Sequence, residues 1–259
     1  MLLSLSSQLD SLLAPAPEPA RVAFLKGQPY AHRGLHGASE NGTVLENSPA
    51  AFEAAIKLGH GIECDVQAAE DGTAFVFHDF ELDRLTTQQG NIAHLRASDI
   101  DQIDLKDGNG KIPRLRATLA QVAGQVPILI EVKSHNMRVG PLCLSVRRAL
   151  EGYTGKAAVM SFNPLVGAWF RKNANHIVRG LVVTEEGSKN LRGRLARHRN
   201  LWAAKPDFLA YDIRDFPSKF AASNRARGLP IVTWTVRTAA QEKIAAVHAD
   251  EPVYEMPQS

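Results

Sequence analysis

Cysteine is scarce: among 259 residues only Cys64 and Cys143 occur, and neither stands in a Cys-x-x-Cys or in a Cys/His cluster with zinc spacing. A disulfide scaffold is excluded. Long apolar runs are missing too, since no stretch approaches the roughly 18 apolar residues of a membrane span. Before Arg21 there is no Lys or Arg, and the apolar start is broken by Ser, Gln and Asp, the wrong pattern for a secretory leader. The expected location is therefore the cytoplasm. Excess charge of one sign is slight, 30 Lys+Arg against 27 Asp+Glu, so nucleic acid is not an expected partner, whereas small anionic substrates are compatible.

What is present is an ordinary globular composition, 44% hydrophobic and 22% charged, over a length that suits one large α/β domain, residues 1–259. Leu2, Leu5, Leu9 and Leu12 recur at spacings of three and four, a helical stripe that stops at the Pro-rich LAPAPEP linker, so residues 1–20 read as a helix and tether. The favoured expectation is that this stripe packs on the body of the protein. The other reading is a docking surface for a membrane or partner, in which the basic run LRGRLARHR (191–199) could share.

From Tyr30 onward short apolar runs alternate with helix-compatible stretches. The runs are 29–34, 61–66, 74–79, 128–133, 157–162, 179–183, 208–212, 231–236 and the weaker 252–255. Between them, 48–59 and 139–152 carry helical spacing, the first opening at Ser48-Pro49 and closing at Gly59 as caps do. This βα alternation predicts mostly parallel strands and a TIM-type (β/α)8 barrel. Nine runs compete for eight places, and too few residues separate Asp65 from His78 for a crossover helix. The second and third runs are thus either an antiparallel pair or strands joined by a bare loop.

Polar residues gather at the C-terminal ends of the runs, the face on which such barrels carry chemistry. Glu63 and Asp65 are two apart on a strand and point to the same side. At roughly 5.5 Å and an effective dielectric near 20, their repulsion is on the order of 3 kcal/mol. A divalent cation could offset it, with Glu131 as a third oxygen ligand, or Arg33 and Lys133 could do so as salt-bridge partners. Such hard oxygen ligands favour Mg²⁺ or Ca²⁺ over Zn²⁺. His32 and His78 each end an apolar run, and two imidazoles at one site can take and give a proton. His36 follows His32 by four, but Gly34 and Gly37 oppose a helix between them, so the two are not read as a metal pair. Arg33 and Lys133 beside a cation site suit a phosphate.

The stretch AHRG, then LENSPAAFEAAIKLGHGIECDVQAAEDGTAFVFHDFELDRLT, then ILIEVKS, SF and VTWTV resembles the glycerophosphodiester phosphodiesterases. The likeness spans 30 to about 236 and is densest from 31 to 86. It implies hydrolysis of glycerophosphodiesters to sn-glycerol 3-phosphate and an alcohol with a divalent cation, Mg²⁺, Ca²⁺ or Mn²⁺. By that resemblance His32 and His78 are the acid/base pair, Glu63, Asp65 and Glu131 the metal carboxylates, and Arg33 and Lys133 the phosphate contacts. Glu46 and Asn47 match the Pro-Glu-Asn-Thr motif as supporting residues, and Trp234 matches the aromatic of the late WTV motif, lining the substrate. Departures are Leu45 and Ser48 in place of that motif's Pro and Thr, Cys64 between the two acids, and no closing Thr-Asp-x-Pro signal near PVYE. Competing readings are a lysophospholipase D or sphingomyelinase D-like enzyme on membrane lipids and a barrel that binds phosphodiesters without turnover. A metal amidohydrolase is disfavoured because its usual His-x-His is here His32-Arg33-Gly34.

Overall fold

The computed structural model describes residues 5–39, 42–134 and 137–256. Its strands are β1 (Tyr30–Ala31), β2 (Gly37–Ser39), β3 (Gly42–Val44), β4 (Gly61–Ala68), β5 (Ala74–Val76), β6 (Ile128–Val132), β7 (Ala157–Ser161), β8 (Val178–Val183), β9 (Phe208–Asp212), β10 (Ile231–Val236) and β11 (Glu251–Tyr254). The α-helices are α1 (Leu5–Leu13), α2 (Pro19–Val22), α3 (Pro49–Lys57), α4 (Ala97–Ile100), α5 (Leu115–Val122), α6 (Gly140–Leu150), α7 (Pro164–Asn173), α8 (Leu191–Ala204), α9 (Lys219–Ala226) and α10 (Ala239–His248). All nine apolar runs of the sequence contain a strand. The hairpin β2–β3 is an addition, because three-residue strands fall below what side-chain periodicity can register. Among the described residues no helix is long and apolar enough to cross a membrane.

The chain forms two compact units, one holding Tyr30–Ala157 with the segment from Glu255, the other holding the chain up to Pro29 with Ala158–Tyr254. In the first, β4 pairs in parallel with β6 on one edge, while its other edge is shared. The two-residue β1 covers Gly61 and Ile62, and β5 runs antiparallel beside Val66–Ala68. This settles the crowded count: the third apolar run is the return arm of a hairpin, since the residues between β4 and β5 can make a turn but no crossover. The chain then makes a long excursion whose Phe75, Phe77, Leu82, Ile92 and Ile100 bury their own cluster.

In the second unit β8, β9, β10 and β11 follow in parallel after β7, with helices between them. Leu181, Leu201, Leu209, Tyr211 and Ile231 form its core. Three parallel strands in one unit and five in the other make eight, and the fold class is the TIM-type (β/α)8 barrel.

The N-terminal helix forms where the leucine spacing predicts it but turns the opposite way. Its inward side is polar: Ser7 is 2% and Asp10 1% exposed, while Leu9 is 48% and Leu12 75% exposed. Asp10 accepts hydrogen bonds from Trp202 Nε1 at 2.8 Å and from His198 Nδ1 at 2.9 Å on α8. Behind the linker, Arg21 clamps the segment by donating from Nε and Nη2 to the Asp207 carboxylate at 3.1 and 3.0 Å. The expectation that the leucine stripe packs inward is therefore corrected at Leu9 and Leu12: two hydrogen bonds to a buried carboxylate orient the helix. Leu2 lies outside the described residues. Replacing Asp10 by Ala strands the Trp202 N–H at a part-buried site, and urea denaturation should show a loss of about 1–3 kcal/mol. A loss below a few tenths would mean that Asp10 does not anchor the helix.

Candidate active site

On β4 the side chains alternate, so Ile62, Cys64 and Val66 enter the core while Glu63 and Asp65 share the other face. The register of β6 sets Glu131 directly opposite Asp65. One oxygen from each of Glu63, Asp65 and Glu131 lies within 4.8 Å of the others, and all three residues are buried. Burial and the charges of Asp65 and Glu131 push the Glu63 carboxyl well above the usual range. Burial also raises Glu131, against the pull of Lys133. Asp65 goes the other way, because Lys133 and Arg33 outweigh its burial and hold it well below the usual range.

The cations arrive by different routes. Lys133 follows β6 directly, its N–H donating to the Val66 carbonyl at 3.0 Å, and its Nζ reaches Asp65 at 2.9 Å and Glu131 at 2.8 Å. Arg33 sits in a left-handed turn, φ 57°, after the short β1. That turn aims its N–H at Glu63 Oε2 at 3.0 Å and its Nε toward Asp65 at 3.2 Å. Gly34, φ +77°, continues the turn, and a Cβ there would come within 2.8 Å of the Ala51 backbone, so only glycine lets β1 and α3 close on each other.

Glu46 and Asn47 lie in the loop entering α3. Asn47, buried and also left-handed, donates from Nδ2 to Asp65 Oδ2 at 3.0 Å and accepts at Oδ1 from the Asp65 N–H at 3.3 Å. Ser48, standing where the motif has Thr, caps α3 by accepting from the Ala51 N–H at 3.1 Å. Glu46 accepts from Arg33 Nη1 at 2.7 Å and, through both oxygens, from Arg84 at 2.7 and 2.9 Å.

Both histidines are held by carboxylates. His32 Nδ1 bonds Glu255 Oε1 at 2.6 Å, and its Nε2 stands 3.9 Å from Glu63. His78 Nδ1 bonds Asp79 Oδ1 at 2.7 Å. Burial pulls both imidazoles below their ordinary value, against the opposing pull of neighbouring carboxylates. Arg84 donates to Asp79 as well as to Glu46, at 2.6 and 3.0 Å, which makes a chain from Arg33 through Glu46, Arg84 and Asp79 to His78. His36, not read as a metal partner of His32, is brought beside it by the glycine-containing turn, where one atom each of His32, His36 and Glu255 fall within 4.8 Å, a group that could hold a metal ion. Trp234 belongs to the other unit, on β10, where Nε1 donates to the Ala210 carbonyl at 2.9 Å and the ring meets Phe162 edge-on at 5.5 Å.

Three residues of this network escape a reading by motif. Asp79 is adjacent to His78 in sequence, but adjacency alone says nothing of pairing. Arg84 has no spacing that points to it. Glu255 follows PVY near the end of the chain, where no motif points to it, and only the fold brings it to His32.

The carboxylate cluster fits a hard cation. Glu63 Oε1 is buried with no hydrogen-bond partner among the described residues, and two cationic side chains face three carboxylates. Oxygen donors of this kind suit Mg²⁺, Ca²⁺ or Mn²⁺.

The model of the Glycerophosphoryl diester phosphodiesterase family matches residues 32–250, and the chain belongs to that family. The bovine (Bos taurus) protein named Glycerophosphodiester phosphodiesterase 1 is 26% identical over 262 residues, 86% of this chain and 77% of its own length. The Bacillus subtilis protein YhdW is 33% identical over 117 residues, 42% of this chain, which spans less than half of that protein, 46%. An Oleispira antarctica phosphodiesterase, solved in complex with the product sn-glycerol-3-phosphate, superposes with a TM-score of 0.73 at 20% identity, covering 89% of this chain and 93% of that one. This last likeness shows the fold.

In the cation-free protein the raised carboxyls of Glu63 and Glu131 favour folding while protonated, a contribution present at low pH and lost as pH rises through their folded values. A cation binds the deprotonated forms. The gain in Tm on adding Mg²⁺, Mn²⁺ or Ca²⁺ should therefore grow between about pH 5 and about pH 8 in thermal-shift measurements. A gain of equal size at both, or none, would contradict the site.

Proposed function

We propose that the protein hydrolyses glycerophosphodiesters to sn-glycerol 3-phosphate and an alcohol, using one catalytic barrel domain with His32 and His78 as its acid/base pair. The observation that carries this reading is the pair of imidazoles whose Nδ1 atoms are each tied to a carboxylate beside the buried cluster. A carboxylate only accepts, so Nδ1 bears the hydrogen and Nε2 of the neutral ring keeps the lone pair. Burial favours that neutral form. When the ring takes a proton, the carboxylate behind it stabilises the imidazolium.

Hydrolysis then needs one imidazole to take a proton from the nucleophile attacking phosphorus and the other to protonate the departing alkoxide, which is too basic to leave unaided near neutral pH. Arg33 and Lys133 supply positive charge for the non-bridging oxygens while remaining tied to Asp65 and Glu131. Glu63, Asp65 and Glu131 would hold the divalent cation, which when bound adds Lewis-acid stabilisation of the phosphate charge. Glu46 and Asn47 keep Arg33 and Asp65 in place. The product held by the Oleispira antarctica protein supports the choice of glycerol phosphate as the retained half.

His32→Ala and His78→Ala should each lower turnover by roughly 10²- to 10⁴-fold, largely in kcat, with an unchanged circular dichroism spectrum. Chelation should abolish activity and Mg²⁺ or Ca²⁺ restore it. Near wild-type turnover in both folded variants would remove the histidines from the chemistry, and full activity after exhaustive chelation would remove the cation.

The charged character of the cluster favours a water-soluble, deacylated diester. The kcat/KM for glycerophosphocholine should exceed that for lysophosphatidylcholine. A lyso-lipid value about tenfold higher, worth about 1.4 kcal/mol of transition-state binding, would reassign the enzyme as a lysophospholipase D.

A further inference from the structure

Helices α1 and α8 pack together in one unit, and what they leave exposed is unusual for a water-facing surface. On α1 Ser7 and Asp10 are buried, while Leu9 and Leu12 are exposed together with Ser6, Gln8 and Ser11. On α8 the residues Leu191, Leu195, His198 and Trp202 follow the i, i+4, i+7, i+11 spacing of a single helix face. Asp10 of α1 covers the His198–Trp202 end of that face. The other end keeps Leu191 68% and Leu195 56% exposed.

The charge that α8 itself carries has one sign. Helix α8 carries four arginines and no carboxylate, and Arg192, Arg194 and Arg199 are exposed. By helical angle Arg192 and Arg199 flank the Leu191–Leu195 stripe on one side and Arg194 on the other. The only acid of α1, Asp10, is buried and already paired. A cavity of about 530 Å³ beside the two helices is lined by Lys189, Arg194, Arg197 and Lys219 and by the acids Asp10, Glu185 and Asp215. The acids there are engaged: Asp215 with Lys189 at 3.3 Å, Glu185 with Arg197 at 3.0 Å. Arg197, its side chain only 9% exposed, retains a buried Nε with no hydrogen-bond partner among the described residues.

We propose that this α1/α8 surface docks the protein on an anionic phospholipid bilayer, the leucines entering the boundary of the acyl region and the arginines pairing with lipid phosphates. Long arginine side chains can lay their stems along the apolar layer while the guanidinium stays with the phosphates. Neither helix is long, and stable attachment from modest apolar area requires the second, electrostatic signal that α8 supplies. The docking surface uses none of the residues assigned to the proposed reaction, so it stands or falls independently of it.

The test is co-sedimentation of the full chain with vesicles of phosphatidylcholine alone and of phosphatidylcholine mixed with phosphatidylglycerol. Binding to the mixed vesicles should be stronger by about tenfold or more, and should fall as salt is raised. The double variants Leu12→Glu with Leu195→Glu, and Arg192→Glu with Arg199→Glu, should each weaken it by about tenfold or more. Their kcat/KM on glycerophosphocholine should be unchanged, which reports that they are folded. Equal binding to both kinds of vesicle, or undiminished binding by the folded variants, overturns the proposal. So does a dimer in analytical ultracentrifugation that Leu12→Glu dissolves, since it would give the leucines to a second copy of the chain.

Discussion

Three carboxylates buried at the end of two adjacent strands are the constraint around which the surrounding structure is arranged. Glu63 and Asp65 cannot separate, because they share one face of β4, and the register of β6 fixes Glu131 beside them. Like charges at such range in a water-poor site are costly, and the protein answers with Lys133 from the strand end and Arg33 from a left-handed turn. Much of the unusual backbone nearby serves that delivery. Arg33 and Asn47 both adopt positive φ, Gly34 admits the close contact with α3, and Asn47 ties its loop to the Asp65 carboxylate and amide. Glu63 Oε1, without a hydrogen-bond partner among the described residues, marks what two cationic side chains leave uncompensated.

The same electrostatic logic extends outward. Each imidazole has a carboxylate at its back, and the one behind His78 is itself held by Arg84, whose guanidinium also holds Glu46. Glu46 in turn positions Arg33. A displacement of Arg84 would thus reach both His78 and Arg33. Single hydrogen bonds at a partly exposed site are weak, but a continuous chain of charged ones restricts every member at once.

A second departure from ordinary packing lies at α1. A helix that buries Ser7 and Asp10 while exposing Leu9 and Leu12 reverses the usual sorting of apolar and polar residues. What holds it so is a buried carboxylate with two donors waiting on α8. Leu9 and Leu12 are thereby left half and largely exposed.

Sequence alone determined the class of fold and most of the charged cluster. Nine apolar runs with helical stretches between them specify parallel strands, and a period of two places Glu63 and Asp65 on one side without knowledge of their neighbours. Local rules also fixed the Ser48 cap and Pro49 start of α3. Only the tertiary structure decided that the third run folds back as β5, because the choice between hairpin and bare loop rests on which edge of β4 the short β1 leaves open. It likewise decided that Glu255 meets His32, 223 positions away, and that Arg84 joins Glu46 to Asp79. The direction in which α1 faces belongs to the same kind. Periodicity reports that a helix has two unlike sides; which side is buried depends on what the neighbouring helix offers, and here it offers hydrogen-bond donors.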